Sequence, residues 1–233
     1  MQKKDYISLL HQKDIVKQGI PSGFLNLQEQ QTLRQLLDKF HITYQVYSYF
    51  GITDRVIFSK NCPKITILEI ITTETFTHQM LLGSFFSLQI DSKILGDFIH
   101  YQNKYYMYFD AKYKKYILEN FRKVGKYSIM LKEVHIHDIQ DYKPQLKKEV
   151  ILVSSYRLDS MISKITGYSR SKVKELFSNG WVRYMDEEIY NGNIVTKEND
   201  IFSIRKFGKY QIGSLQGKTK SDKYALEVKK YMF

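Results

Sequence analysis

Cysteine is almost absent: Cys62 stands alone, so an intramolecular disulfide is impossible and a multi-cysteine zinc site is excluded. Long apolar runs are also missing. The longest uncharged run, Thr75 to Ile90, is too short and too polar to span a bilayer. Met1 to Tyr6 leads into a charged amphipathic segment without the apolar core of a signal peptide. A cytoplasmic setting without stable membrane association is therefore expected. Neither a G-x-x-x-x-G-K phosphate loop nor a G-x-G-x-x-G turn is present, so no cofactor is expected. His135 and His137 have a spacing that would put both on one strand face, but no third ligand is apparent, so no metal is expected. No nucleophile stands out either. The three prolines, Pro21, Pro63 and Pro144, fall where the patterns of the neighbouring segments break.

Positive charge is what the chain has in excess. Lysine and arginine total 36 against 24 acidic residues, a net +12, which points to an anionic partner such as nucleic acid or a membrane surface. From Ile151 to Phe233 there are 15 basic and 9 acidic residues, against 21 and 15 in the first 150. The basic density is thus higher toward the C-terminal end.

The patterning predicts an α+β chain. Lys4 to Gln18 reads as a helix, and a second starts near Asn26 with Leu33, Leu36, Leu37 and Phe40 on one face. His41 to Phe50 and Arg55 to Phe58 read as two strands joined around Gly51. From Lys64 the order becomes βαββαβ: a strand at Ile65 to Ile71, a helix at Thr77 to Leu88, strands at Leu95 to His100 and Tyr105 to Phe109, a helix from Tyr113 to Phe121, and a strand from Tyr127 to Val134. That order suits two helices on one antiparallel sheet, a split βαβ or RRM-like sandwich. The RNP1 signature is missing. Tyr105, Tyr106, Tyr108 and Phe109 could stack on bases, but half must face the helices, and core packing is the expected role.

The expected boundaries are 1–63 for an N-terminal αα-ββ module, 64–140 for the RRM-like domain and 141–150 for a polar linker. Residues 151–213 form the next domain, and 214–233 a basic tail. That tail is either partly disordered or docked through Tyr231-Met232-Phe233.

Within 151–213 the chemistry concentrates on two short helices. Leu158, Met161, Ile162 and Ile165 fall at i, i+3, i+4 and i+7. After Gly167, Ser169 can cap a second helix while Tyr168 packs back on Val173, and Asn179-Gly180 ends it. The start of that helix holds Arg170, Lys172 and Lys174, against the preference of a helix N-terminus for negative charge. A polyanion across the helix start would reverse the penalty. A solvated basic face is the alternative.

Arg157-Leu158-Asp159, Tyr168 to Phe177, Gly180-Trp181-Val182 and Asn199 to Arg205 together resemble an S4 RNA-binding domain. Further motifs are Ser22 to Gln30, Thr53-Asp54-Arg55, His78 to Ile90 and Ile94 to Phe98. With these, nearly the whole chain resembles the YlmH family of bacterial S4 proteins. The resemblance implies a C-terminal S4 (αL-type) domain of two helices plus short strands. It also implies an RNA-binding factor of translation, associated with the large ribosomal subunit, rRNA and peptidyl-tRNA in ribosome quality control. Two departures stand out: Met185-Asp186 replaces the usual Asn-Gly turn, implying a different hairpin turn, and Lys206 replaces a glycine, adding a cation.

Arg157-Leu158-Asp159 is also similar to the catalytic Arg-Leu-Asp of S4-bearing pseudouridine synthases, the alternative function. There the aspartate lies in a separate catalytic domain, whereas here it opens the S4 pattern, so no catalytic residue is assigned. The expectation is a monomer that binds RNA through two sets of residues. Arg157, Ser169, Arg170, Ser171, Lys172 and Lys174 form one side, and Arg205, Lys206 and Lys209 the other.

Overall fold

The computed structural model describes residues 3–50 and 55–233, with residues 3–5 as backbone only. The strand connection expected around Gly51 and the Thr53-Asp54 pair lie outside the described residues. The fold is α+β, and the chain divides into two units, residues 1–143 together with Phe233, and residues 144–232.

The first unit opens with α1 (Lys3–Lys17), α2 (Leu27–Lys39), β1 (Gln45–Tyr47) and β2 (Ile57–Ser59). Asn26 starts α2 with a capping box: its Oδ1 accepts from the Glu29 N–H, and a Glu29 carboxylate oxygen accepts from the Asn26 N–H, both at 2.9 Å. β1 and β2 pair antiparallel. There follow β3 (Ile65–Ile71), α3 (His78–Phe86), β4 (Leu95–Tyr101), β5 (Lys104–Asp110), α4 (Lys114–Asn120), a small hairpin of β6 (Lys123–Val124) and β7 (Tyr127–Ser128), and β8 (Met130–Val134). The last expected strand, Tyr127 to Val134, is thus split at Ile129, which is buried and whose N–H donates to the Arg122 carbonyl at 2.9 Å, while Gly125, with a positive φ of 58°, turns the β6–β7 hairpin ahead of it. The antiparallel sheet has the order β4-β5-β3-β8, that of a split βαβ unit.

Strand alternation gives this sheet two apolar faces. Leu68, Ile70, Tyr105, Met107 and Phe109 pack with Leu81, Phe85, Ile117 and Phe121 of the helical side. Ile67, Ile99, Tyr106 and Tyr108 face the other way and are covered by Phe24 and Ile57 of the N-terminal module. Phe24 meets Tyr108 edge-on at 5.7 Å. All four aromatics of β5 are buried. Gly96 lies at a bulge between Leu95 and Asp97, and a Cβ there would sit 2.0 Å from the Tyr108 ring, so only glycine admits that ring.

The second unit comprises β9 (Gln145–Val153), α5 (Leu158–Thr166), α6 (Arg170–Ser178), β10 (Val182–Tyr184), β11 (Glu187–Glu188), β12 (Ile201–Ile204), β13 (Gly208–Lys218) and β14 (Tyr224–Met232). Its antiparallel sheet runs β11-β10-β12-β13-β14-β9. Leu158, Met161, Ile162, Val173, Leu176 and Phe177 of the helices close on Phe202, Ile204, Tyr210, Ile212, Leu226 and Val228 of the sheet.

Two expected boundaries are corrected here. Residues 141–150 are not a linker throughout, since β9 begins at Gln145 and pairs with β14 along its whole length. As an edge strand buried only at Val153, β9 carries Lys147, Lys148 and Glu149 in water, a composition that reads as loop. Residues 214–233 are not a disordered tail: Tyr224, Leu226 and Val228 alternate inward from β14 between β13 and β9. His137 lies in a 3-10 turn over Ile136–Ile139 rather than on a strand, so strand spacing does not align it with His135. The Met185-Asp186 turn also departs from expectation. Both residues adopt positive φ, 50° and 66°, the conformation that Asn-Gly would favour in a two-residue hairpin.

Candidate nucleic-acid interface

The start of α5 is closed by the loop at 192–194. The Leu158 N–H donates to the Ile194 carbonyl at 2.9 Å and the Asp159 N–H to the Gly192 carbonyl at 3.2 Å. The Ser160 N–H is taken by the Asp159 carboxylate at 2.8 Å. Arg157 forks onto the same carboxylate, Nε to Oδ1 at 3.1 Å and Nη2 to Oδ2 at 2.6 Å, the bidentate geometry of a strong pair. Its Nη2 also donates to Asn193 Oδ1. The Arg157 hydrogen bond holds the Asp159 carboxyl below the usual carboxylate range against the opposing effect of burial. Gly192 is required for this closure, because a Cβ would approach Phe177 to 2.5 Å and Asp159 Cβ to 2.7 Å.

The start of α6 is open by comparison. Ser169 Oγ accepts from the Lys172 N–H at a long 3.5 Å and shares a 2.9 Å hydrogen bond with Ser171 Oγ. The first turn holds Arg170 and Lys172 and no acidic residue. Ser163 of α5 donates to the Tyr168 carbonyl at 2.7 Å, fixing the helix-to-helix corner.

Between these elements lies a groove of about 1020 Å³. Arg157, Ser160 and Lys164 line it from the α5 side, Arg170 and Lys174 from α6, Tyr190 to Asn193 from the loop, and Lys223 from the β13–β14 turn. Val173 and Phe177 supply apolar surface. Its charged groups are five cations and one carboxylate, and that carboxylate, Asp159, is already engaged by Arg157. Such a groove attracts anions, and its clustered donors suit phosphate oxygens.

Of the expected residues, the groove brings together Arg157, Arg170 and Lys174. Ser169 and Ser171 sit beside it at the α6 start. Lys172 instead lies over the Tyr168 ring at 5.4 Å. Tyr168 packs edge-on against Phe207 at 5.4 Å, tying the α6 start to the β12–β13 turn that carries Arg205 and Lys206. Arg205 lies over Trp181 at 5.5 Å, and Lys206 is exposed with φ 73°, a conformation suited to glycine. Lys209 does not join either group. Its neighbour Tyr210 points into the core with the helices, so Lys209 projects from the opposite sheet face, over Tyr231 at 5.5 Å. Burial pulls the Lys209 ammonium down to about 8.

Sequence reasoning missed Lys164 and Lys223. Lys164 was findable, since it lies two helical turns from Arg157. Lys223 was not, because it belongs to the segment read as a tail. Among the described residues, no three His, Cys, Asp or Glu side chains gather as a metal site, and no helix is long and apolar enough to cross a membrane.

Comparisons with known proteins bear on the first unit most directly. Residues 63–138 match a family model described as "Putative RNA-binding domain in YlmH". The ribosome-associated protein quality control protein P2 of Bacillus subtilis (strain 168) is 25% identical over 147 residues, which cover 63% of this chain and 57% of that protein. The match thus spans little more than half the length of that curated relative. Among solved structures, the cell division protein ylmH from Streptococcus pneumoniae aligns with 59% of this chain and 95% of its own, at 15% identity and a TM-score of 0.46. By sequence this chain resembles the YlmH family, and residues 63–138 match the model of that family's domain.

Proposed function

We propose that the chain is a non-enzymatic, cytoplasmic, monomeric RNA-binding protein of translation. In this reading it contacts rRNA or tRNA on the large ribosomal subunit and serves quality control of stalled peptidyl-tRNA. The carrying observation is the groove between α5 and α6, where five cations meet one internally engaged carboxylate. Structured RNA is read largely through shape and phosphate contacts, which suits such a surface better than base-edge recognition would. The helix pair with β10 and β12 is read as an S4 module, and the β4-β5-β3-β8 sheet with its helices as an RRM-like one. The description of the matched family domain and the name of the Bacillus relative support the same class.

The engagement of Asp159 favours binding over pseudouridine synthesis, because a carboxylate forked by Arg157 and bonded to the Ser160 N–H is occupied structurally. The test is co-sedimentation with purified large ribosomal subunits. The Arg170→Glu, Lys174→Glu variant should leave the subunit fraction while keeping its thermal unfolding profile, and undiminished co-sedimentation would refute the site. Uridine isomerised by the wild type but not by Asp159→Asn would replace this reading with the enzyme.

A further inference from the structure

The sheet of the YlmH-type domain has no open face for bases to stack on. Tyr106 and Tyr108 are 5% and 0% exposed beneath Phe24 and Ile57, and Tyr105, Met107 and Phe109 are buried under the helices. If this domain contacts RNA, it does so elsewhere.

The charge distribution says where. Residues 111–132 hold seven lysines and arginines against Glu119 alone, whereas the remainder of residues 1–143 holds twelve basic and thirteen acidic residues. The entire positive excess of the unit therefore sits in one short segment. Three of its cations are paired: Lys112 with Asp110 at 3.3 Å, Lys114 with Glu133 at 2.5 Å and Lys115 with Glu119 at 4.0 Å. Arg122, Lys123 and Lys126, all exposed, have no carboxylate partner among the described residues.

These three sit on or beside the β6–β7 hairpin. Val124 pairs with Tyr127 and turns into the core, so Lys123 and its partner Ser128 project outward. Lys126 occupies the turn, and the adjacent Gly125 N–H donates to Ser84 Oγ of α3 at 2.9 Å. That bond and the buried Val124 hold the hairpin against the domain, so its cations are displayed from a fixed support rather than a loose loop.

We propose that this hairpin is a second phosphate-contacting surface, taking the sugar-phosphate backbone of structured RNA through Arg122, Lys123 and Lys126. The inference rests on the RNA-binding reading above but on a different unit and different residues.

The test uses the full chain with Arg122→Gln, Lys123→Gln and Lys126→Gln, binding to purified large ribosomal subunits over a range of potassium concentrations. Loss of three phosphate contacts should lower the slope of log K against log salt by about 2 to 3. A photocrosslinker at position 126 should capture RNA. An unchanged slope, with binding still lost in the Arg170→Glu, Lys174→Glu variant, overturns the hairpin site and leaves the groove standing. If neither variant changes binding, both readings fall. If the hairpin variant instead loses affinity only for phosphatidylserine vesicles, the surface is a lipid contact and the proposal is overturned. A comparable unfolding midpoint for wild type and variant excludes misfolding as the cause of lost binding.

Discussion

Replacing Arg170 and Lys172 with glutamine should move stability and RNA affinity in opposite directions. Both side chains occupy the first turn of α6, which has no acidic residue and exposes both cations. Each cation faces the positive end of the helix dipole, an interaction that costs about 0.3–1 kcal/mol at low ionic strength. Lys172 also gives up its place over the Tyr168 ring, a contact worth about 0.5 kcal/mol, so the double variant should be more stable by a net of about 0.1–1.5 kcal/mol in low salt, raising the unfolding midpoint by up to several degrees for a domain of this size. In 1 M salt, where the screening length is about 3 Å, that gain should vanish. For binding, each lost phosphate contact removes about 0.9 from the salt slope. Of the two only Arg170 lines the groove, so at 0.15 M salt the one lost contact amounts to about 0.7 decade, or roughly five-fold weaker binding. Thermal unfolding at two ionic strengths and anisotropy of a labelled rRNA fragment across a salt series would measure both. If the variant were destabilised, or lost no slope, the view of α6 as a helix start tuned to an anion would be wrong.

Two further outcomes test the scaffold. Gly192→Ala places a methyl group against Phe177 and Asp159, an overpacking that should cost about 1–3 kcal/mol. By loosening the Arg157 fork, it should also let the Asp159 pKa rise toward its ordinary value, which carboxyl-carbon NMR titration would follow. For His78, burial pulls the imidazole pKa down, but Asp97 at 2.6 Å outweighs it and raises the value above 6.5. Because the folded value is the higher one, this pair's stabilisation is complete below pH 6.5 and fades as pH rises through the folded pKa. His78→Gln should flatten the fall in stability across that window, as urea titrations at several pH values would register.

Local signals carried most of the helices into view. Asn26, Ser169 and Gly167 mark real helix ends, because capping is decided by a few adjacent residues. The period of Leu158, Met161 and Ile162 is the face that is buried. What was illegible depended on partners distant in sequence. β9 looks polar because it lies at an edge, and β14 was overlooked although Leu226 and Val228 alternate. The candidate site split for the same reason. Arg157, Arg170 and Lys174 share a helix pair and were groupable from sequence, whereas the facing of Lys209 follows from Tyr210 entering the core. Lys223 reaches the groove only because the β13–β14 hairpin folds back.

The cover that Phe24 lays over Tyr108 also constrains the order of events during folding. The two residues are separated by roughly eighty positions, so this contact belongs to the non-local class that forms slowly. On a chain emerging from its N-terminus, the side of the module bearing Phe24 and Ile57 has no counterpart until β5 has been made. During that interval an apolar aromatic surface stands uncovered, the condition under which nascent chains associate wrongly. The β5 aromatics then settle both sheet faces together, since Tyr105, Met107 and Phe109 close the helical side while Tyr106 and Tyr108 receive the waiting module. One strand thus completes both apolar faces of the sheet in the N-terminal unit.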